Sequence, residues 1–269
     1  MNNGMFGTLF CVQHTVTGEV WTAKHMRADP RSVRREAAIL YKVRNEPTII
    51  ALYALYTSPK SSVIVTDFMV GGDLVERTAR TDFVLNESKC KNYVRQICEG
   101  LRHVHACGVV HLDLKPFSIV FTGRDEDAGL KITDFGLARW MPKEGPLKVT
   151  QMCGSLEFIS PEVLECTEAT TSTDCWGIGV IAYMLITGGR SPFYGGNRFR
   201  TMGKILMAQG GYYLSMQHRA VSKLVPDHKY RVRQQNSLLE IEKTTALVGG
   251  DLASAAQCRP QLHLLWVIL

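Results

Sequence analysis

The sequence lacks several features that would narrow its function at once. It has eight cysteines but no Cys-x-x-Cys pair, which argues against a zinc ribbon or a redox dithiol. No apolar run reaches the roughly 18–20 residues that span a bilayer. There is no long basic run, no Gly-X-Y period, no internal repeat and no secretory leader. We therefore expect no membrane or nucleic-acid partner, and reduced thiols in the cytosol.

The residues that are present have the composition of a folded globular protein. The chain has 269 residues, of which 45% are hydrophobic and 21% are charged, a balance that excludes wholesale disorder. This length allows one large domain or two smaller lobes with a substantial core. The formal net charge is +6, and the Lys and Arg residues are scattered along the chain. The distribution of charge therefore does not indicate a nucleic-acid-binding surface.

Two adjacent glycines, Gly71 and Gly72, divide the predicted secondary structure. Before them, two strand-like stretches flank a predicted hairpin turn at Thr17-Gly18, and another follows at residues 62–69. After them, the pattern is mainly helical. We expect an α+β fold with a β-rich lobe at residues 1–70 and a helical lobe at 71–211. Residues 212–269 have no clean periodicity, and their packing is not predicted.

Three segments have helical character. Residues 88–106 predict a long amphipathic helix, and residues 176–187 are so apolar that they predict a buried one. Residues 32–44 have helical spacing, which places four apolar residues on one face: Val33, Ala37, Leu40 and Tyr41. Because small ligands bind in clefts, the junction of the two lobes is the first place to expect a site.

Several short motifs follow one another in an informative order. His111-Leu112-Asp113-Leu114-Lys115-Pro116 precedes Asp134-Phe135-Gly136, and Ser160-Pro161-Glu162 and Asp174-x-Trp176-x-x-Gly179 come further on. Together the motifs resemble those of the eukaryotic protein kinases over residues 2–210. Leu112, where most of these kinases have Arg, and the segment Phe68–Leu74 make the calmodulin-dependent group the nearest likeness, in its death-associated and myosin light chain kinase branch. The resemblance implies the bilobal kinase fold.

The resemblance also implies binding of ATP. A lysine at the end of a strand, Lys24, would pair with the α- and β-phosphates, and Glu36 on the predicted helix would hold that lysine. Thr66 would be the gatekeeper residue, and Asp73 the ribose contact. The full set of nucleotide-binding positions that the resemblance implies is Gly4, Phe6, Gly7, Leu9, Ala23, Lys24, Glu36, Thr66, Asp67, Met69, Asp73 and Val120.

By the same resemblance, the chemistry falls on the two central motifs. Asp113 would be the catalytic base, Lys115 would neutralise the γ-phosphate and mark Ser/Thr specificity, and Ser155 would bond both. Asp134 would hold Mg²⁺, and Ser118 stands at the position of the second metal ligand. The substrates would be proteins with Ser or Thr hydroxyls, met in the cytoplasm or nucleus. Leu112 predicts activity without phosphorylation of the activation loop.

The sequence departs from the family at several positions. Phe117-Ser118 replaces Glu-Asn, so we expect weaker metal binding, and Asn2 replaces the first glycine of the phosphate loop. Arg231 is a weak candidate partner for Glu162. Residues 218–233 could bind calmodulin, but Pro226 interrupts them, which favours a plain connection. Two alternatives to an active Ser/Thr kinase stay open: a nucleotide-binding pseudokinase, and a fragment that cannot fold alone.

Overall fold

The computed structural model describes residues 3–4, 7–27 and 30–208. The chain divides into two units, Met1–Lys148 and Val149–Leu269. The boundary predicted between residues 70 and 71 is a different division and stays a prediction. Residues 212–269, with the predicted roles of Arg231 and of residues 218–233, lie outside the described residues.

The first unit contains the sheet and two long helices. In chain order its elements are β1 (Asn3–Gly4), β2 (Gly7–Gln13), β3 (Val20–Met26), α1 (Pro30–Lys42), β4 (Leu52–Thr57), β5 (Ser62–Asp67), α2 (Leu74–Ala79), α3 (Glu87–Ala106), β6 (Val109–Val110), β7 (Ile119–Phe121), β8 (Leu130–Ile132), β9 (Arg139–Trp140) and β10 (Leu147–Lys148). Short 3-10 helices lie at Pro116–Ser118 and Phe135–Leu137.

Five antiparallel strands form the main sheet, in the order β1-β2-β3-β5-β4. The predicted hairpin turn is present, and Gly18 adopts φ 74°, a conformation that L side chains rarely adopt. Gly7 opens β2 at φ 134°, and a Cβ there would lie 2.6 Å from the carbonyl oxygen of His25. Two further strand pairs, β6 with β9 and β7 with β8, complete the unit's sheets.

Helices α1 and α3 bury their predicted apolar faces. Asn86 starts α3 by accepting a hydrogen bond from the Lys89 amide at 2.9 Å, which satisfies one of the free donors of the first turn. The buried residues of α3 are Cys90, Tyr93, Val94, Ile97, Gly100, Leu101 and Val104. In α1, Val33, Ala37 and Leu40 are buried, whereas Tyr41, the fourth residue of that face, is 60% exposed. It stands in the last turn, where the guanidinium of Arg44 covers its ring at 3.5 Å.

The second unit is mainly helical. Its elements are a 3-10 helix at Leu156–Phe158, α4 (Pro161–Leu164), β11 (Glu168–Ala169), α5 (Thr171–Thr187) and α6 (Arg198–Ala208). Helix α5 begins five residues before the predicted start, because Thr170 and Thr173 form a capping box. It is buried as predicted, and Trp176 stacks on Phe193 at 5.0 Å. Neither β4, α2 nor α6 was predicted, since each is short or weakly periodic.

Glu162 has a partner inside the second unit. Thr173 donates from Oγ1 to Glu162 Oε1 at 2.7 Å, so this carboxylate has a hydrogen bond within the described part of the chain.

Within the described part of the chain, no helix is both long enough and apolar enough to cross a membrane.

Candidate active site

Three charged side chains from separate parts of the first unit meet at one point. Lys24 on β3 donates from Nζ to Glu36 Oε1 on α1 at 2.8 Å, and to Asp134 Oδ1 at 3.2 Å. The three side chains are 16%, 7% and 29% exposed, in that order. We call this group the Lys24 cluster. The cluster holds one ammonium group between two carboxylates. Of these two, the Asp134 carboxylate is partly exposed to solvent.

Two groups of the Lys24 cluster, Lys24 and Asp134, have pKa values shifted in the direction that favours their charged forms. Burial by itself lowers the pKa of Lys24, but Glu36 and Asp134 outweigh it, so the pKa lies above its ordinary value of 10.5. Burial by itself raises the pKa of Asp134, but Lys24 and then Lys115 outweigh it, so the pKa lies below 3.8. Near neutral pH the cluster therefore presents an ammonium group and an ionised carboxylate.

The turn that follows Asp134 packs against the Lys24 cluster. Asp134 has φ 65°, which few residues other than glycine, asparagine and aspartate adopt. Phe135 is fully buried, and Arg35 donates from Nη2 to the carbonyl oxygen of Gly136 at 3.3 Å. A Cβ on Gly136 would lie 3.5–3.7 Å from one polar atom of each cluster residue. The turn is thus packed closely against all three charges.

The predicted catalytic loop lies in the same unit and is held by His111. The imidazole is fully buried, and its Nε2–H donates to the carbonyl oxygen of Thr133 at 3.0 Å. Its Nδ1 therefore accepts from the backbone amide of Asp113 at 3.3 Å. Leu112 has φ 65°, a strained conformation for a leucine, and it turns the chain between them. His111 thus holds the backbone of this loop in place.

Asp113 and Lys115 form a direct ion pair. The Asp113 carboxylate is 3% exposed and the Lys115 side chain 15%, and Lys115 Nζ donates to Asp113 Oδ2. The two residues that the sequence assigns to proton and phosphate handling are therefore already adjacent. Such a pair is short and directional because donor and acceptor are both charged.

Ser118 closes the catalytic loop. It is fully buried, its hydroxyl donates to the carbonyl oxygen of Lys115 at 2.8 Å, and it accepts from the Lys115 amide at 3.0 Å. A serine hydroxyl has one proton and two lone pairs, so one lone pair is left. The predicted metal ligand thus holds the backbone of Lys115, and Phe117 beside it is 59% exposed.

The donor set suits one Mg²⁺ ion at Asp134. Mg²⁺ prefers hard oxygen ligands and binds through one or two carboxylates together with phosphates and water. Asp134 is ionised, and in the described residues its Oδ2 takes part in no hydrogen bond or ion pair. The described part of the chain contains no group of three or more His, Cys, Asp or Glu side chains that could hold a metal ion. Ser118 fits the role of ligand poorly, because its hydroxyl is buried and engaged.

The sheet register decides which strand residues share a face with Lys24. Leu9 pairs with Lys24, and Thr22 pairs with Thr66. Because side chains alternate along a strand, these four residues project from the same face. Ala23 projects from the opposite face and is buried there, so its predicted place beside the nucleotide stays a prediction that the register does not support. Thr22, two residues before Lys24, lies on the same face as Lys24.

The remaining predicted contacts lie around β5, α2 and β7. Asp67 ends β5, where its carboxylate accepts from the Ala51 amide at 3.0 Å and pairs with Lys131 at 3.2 Å. Asp73 starts α2, accepting from the amides of Val75 and Glu76 on Oδ1, and burial raises its pKa. A β-bridge joins Asp73 to Val120. Met69 lies between β5 and α2.

The predicted phosphate loop is only partly described. Gly4 and Gly7 are paired across the β1–β2 hairpin, while Phe6 between them lies outside the described residues. Ser155 belongs to the second unit, where its carbonyl oxygen accepts from the Phe158 amide at 2.8 Å.

Two arginines carry structural roles that the sequence did not reveal. Arg35 contacts the turn at Gly136 through its hydrogen bond to the carbonyl oxygen there. Arg77 is fully buried and donates to Tyr93 Oη at 3.2 Å and to three carbonyl oxygens of the β7–β8 loop. Its guanidinium lies 4.4 Å from the Phe121 ring centroid. No sequence pattern separates a buried arginine of this kind from an exposed one.

Comparison with known proteins identifies the family. The protein kinase domain family matches residues 1–243. The chain belongs to the protein kinase domain family. The predicted resemblance is therefore confirmed, as is the α+β kinase fold with its antiparallel N-terminal sheet and helical C-terminal region.

The kinase domain is similar to several curated proteins. Smooth muscle myosin light chain kinase of Gallus gallus is 36% identical over 212 residues, 77% of this chain and 11% of that protein. Myosin light chain kinase family member 4 of Homo sapiens is 36% identical over 210 residues, 77% of this chain and 53% of the relative. The death-associated protein kinase dapk-1 of Caenorhabditis elegans is 31% identical over 243 residues, 86% of this chain and 17% of the relative.

A solved structure shows the same fold. The twitchin kinase region from C. elegans superposes with a TM-score of 0.69 at 34% identity, covering 76% of this chain and 36% of that one. The chain thus spans about half, or much less, of the length of the relatives it matches.

Proposed function

We propose that this chain is a serine/threonine protein kinase, which transfers the γ-phosphate of Mg-ATP to Ser or Thr hydroxyls of protein substrates. The observation that carries the proposal is the Lys24 cluster, a fixed ammonium group held by Glu36 and Asp134. Phosphoryl transfer needs positioning and charge neutralisation more than covalent participation, and this arrangement supplies both.

Each residue has a role that follows from its contacts. Lys24 would bind the nucleotide phosphates. Because its ion pairs already hold the side chain in place, binding would cost little further conformational entropy. Asp113 would accept the proton of the substrate hydroxyl, and Lys115 beside it would neutralise charge on the transferred group. Asp134 would hold a Mg²⁺ ion, which would supply positive charge to neutralise the phosphates. Ser118 would keep Lys115 in place through its backbone.

The test is transfer of labelled γ-phosphate to a basic peptide that contains a single Ser. We expect transfer to the Ser peptide and none to a matched Tyr peptide. The Asp113→Asn variant should lose transfer, whereas Asp82→Asn, which changes an exposed aspartate, should keep it. Loss of transfer in neither variant, or an equal loss in both, would contradict the role of Asp113.

One observation favours a second candidate, a kinase domain that binds nucleotide without efficient transfer. Ser118 stands at the second metal position, yet its hydroxyl is engaged with Lys115. The Ser118→Asn variant separates the two candidates. A ten-fold or greater rise in transfer indicates a competent site that lacks one ligand. Nucleotide binding without transfer, both before and after the change, supports the pseudokinase.

The substrates and regulators are proposed from the relatives' names and from local charge. Two of the relatives are named myosin light chain kinases and one a death-associated protein kinase. We propose substrates with basic residues near the target hydroxyl, because Glu76 is exposed and Asp73 keeps one carboxylate oxygen outside the α2 cap. Binding of calmodulin and residence in the cytoplasm or nucleus remain proposals of the same kind.

A further inference from the structure

A cavity lies in the first unit, between the end of α1 and strand β9. Its volume is about 440 Å³, a size that holds one or two side chains or a small ligand. Its lining residues are Ala38, Tyr41, Lys42, Arg44, Asn45 and Trp140. None of these belongs to the Lys24 cluster or to the predicted nucleotide contacts. The cavity is therefore a site separate from the one proposed for phosphoryl transfer.

The cavity combines aromatic walls with positive charge. Tyr41 is 60% exposed and Trp140 41%, large fractions for such side chains. Lys42 and Arg44 are exposed at its rim, and neither forms an ion pair with a carboxylate in the described residues. Exposed Trp, Tyr and Arg side chains around a pocket are typical of protein-binding hot spots.

The guanidinium of Arg44 is held in an orientation that leaves it able to bind an anion. Its guanidinium carbon lies over the Tyr41 ring, 3.5 Å from the centroid, and its Nη1 donates to the Tyr41 carbonyl oxygen at 3.0 Å. A guanidinium has five N–H donors, so this contact orients the group and leaves other donors for a carboxylate. Lys42 adds a second positive charge two residues away.

The walls of the cavity are anchored rather than loose. The end of α1 is tied to α3 by His103, whose Nε2 lies 3.1 Å from the carbonyl oxygen of Val43. Trp140 is fixed by the β6–β9 pair, in which it lies opposite Val109. A preformed pocket loses little conformational entropy when it binds a ligand. The backbone that carries the walls is therefore held in place before a ligand binds.

We propose that this cavity docks an acidic peptide segment of a partner protein, one that carries an aromatic side chain flanked by carboxylates. The aromatic side chain would enter between Tyr41 and Trp140, and the carboxylates would pair with Arg44 and Lys42. Charge complementarity selects this occupant, because a basic or neutral segment would leave both cations unpaired. The proposal goes beyond the proposed function and does not depend on it.

The experiment measures binding of a fluorescein-labelled peptide Glu-Glu-Phe-Glu-Glu to the full chain by fluorescence anisotropy. The same peptide with Gly in place of Phe, and the peptide Lys-Lys-Phe-Lys-Lys, are the ligand controls. We expect saturable binding of the first peptide and at least ten-fold weaker binding of both controls. Combining Lys42→Gln with Arg44→Gln should weaken binding at least ten-fold, whereas Arg102→Gln, a change at an exposed arginine of α3, should change it less than two-fold.

A second variant keeps the test decisive if the double change disturbs the helix end. Ala38 is exposed on α1, and Glu suits a helix, so Ala38→Glu should fold normally while it repels and blocks an acidic peptide. Binding that survives both variants overturns the proposal. So does tighter binding of a free aromatic carboxylate than of the peptide, which would indicate a small-molecule site. A concentration-dependent dimer abolished by Ala38→Glu would also overturn it, in favour of a second copy.

Discussion

The ion pair between Lys24 and Glu36 should be costly to break, because both side chains are largely buried. The perturbation is Glu36→Gln, which removes the charge and keeps a hydrogen-bond acceptor of the same size. Lys24 is only 16% exposed and Glu36 7%, so little water can replace the lost interaction. Lys24 keeps its contact with Asp134 at 3.2 Å, which limits the loss.

The magnitude follows from these contacts. Breaking a buried pair costs about 3–5 kcal/mol, but the retained acceptor and the second carboxylate reduce this to about 2 kcal/mol. For a chain of this length we expect the midpoint of thermal unfolding to fall by about 4–8 °C. The matched control is Glu87→Gln, which breaks an exposed pair with Lys91 whose side chains are 51% and 39% exposed. That change should cost about 0.5 kcal/mol or less.

Thermal unfolding followed by circular dichroism distinguishes the two variants. The reasoning predicts a clear difference, with Glu36→Gln melting several degrees below Glu87→Gln. Equal melting temperatures for the two variants would refute it, because burial would then add nothing to the Lys24–Glu36 pair.

Three further predictions test other parts of the site. The pKa of Asp134 lies below its ordinary value of 3.8, so its contribution to stability is present above that pH and is lost as the pH falls through the lowered value. Acid titration of the unfolding free energy should therefore show a steeper fall below about pH 4 for the wild type than for Asp134→Asn, and parallel curves would contradict this. Arg77→Lys should lower the unfolding free energy by about 3 kcal/mol, because lysine cannot supply the guanidinium group that reaches four acceptors. Urea unfolding measures this loss, and a loss below about 1 kcal/mol would show that these contacts contribute little to stability. Thr150 lies in the predicted activation loop, between β10 and the 3-10 helix at Leu156–Phe158. Thr150→Ala should retain at least half of the transfer rate, because Leu112 stands where most of these kinases have the arginine that pairs with a loop phosphate. Complete loss of activity would count against that reading.

The sequence predicted the elements that have strong periodicity or a clear cap. Helix α3 begins at Glu87, one residue before the predicted start, because Asn86 caps it and its apolar spacing is regular. The hairpin at Thr17-Gly18 was equally plain, since a glycine supplies the turn. Short elements such as α2, which spans Leu74–Ala79, give too few residues for a period to emerge. Their structure depends on what they pack against.

The site shows the same division between local and tertiary information. The family resemblance implied that Glu36 holds Lys24 and that Asp134 holds Mg²⁺ for the same nucleotide. The described structure brings the three side chains within hydrogen-bond distance, and the contact between Lys24 and Asp134 was not predicted. The resemblance placed Ala23 beside the nucleotide, but adjacent residues of a strand project from opposite faces, so Ala23 does not share the face of Lys24. The engagement of Ser118 could not be predicted, because its hydroxyl bonds depend on the turn geometry of one loop. Which roles the site residues play in catalysis stays a prediction.

The central claim is that the Lys24 cluster receives the phosphates of a nucleotide. The most direct measurement is calorimetric binding of ADP and of adenosine, both in Mg²⁺, to the wild type, to Lys24→Met and to the control Lys60→Met, which changes an exposed lysine between β4 and β5. The account predicts that the wild type and the control bind ADP at least ten-fold more tightly than adenosine, and that Lys24→Met loses most of this difference. Equal affinity for ADP and adenosine in the wild type, or an unchanged preference in Lys24→Met, would contradict it.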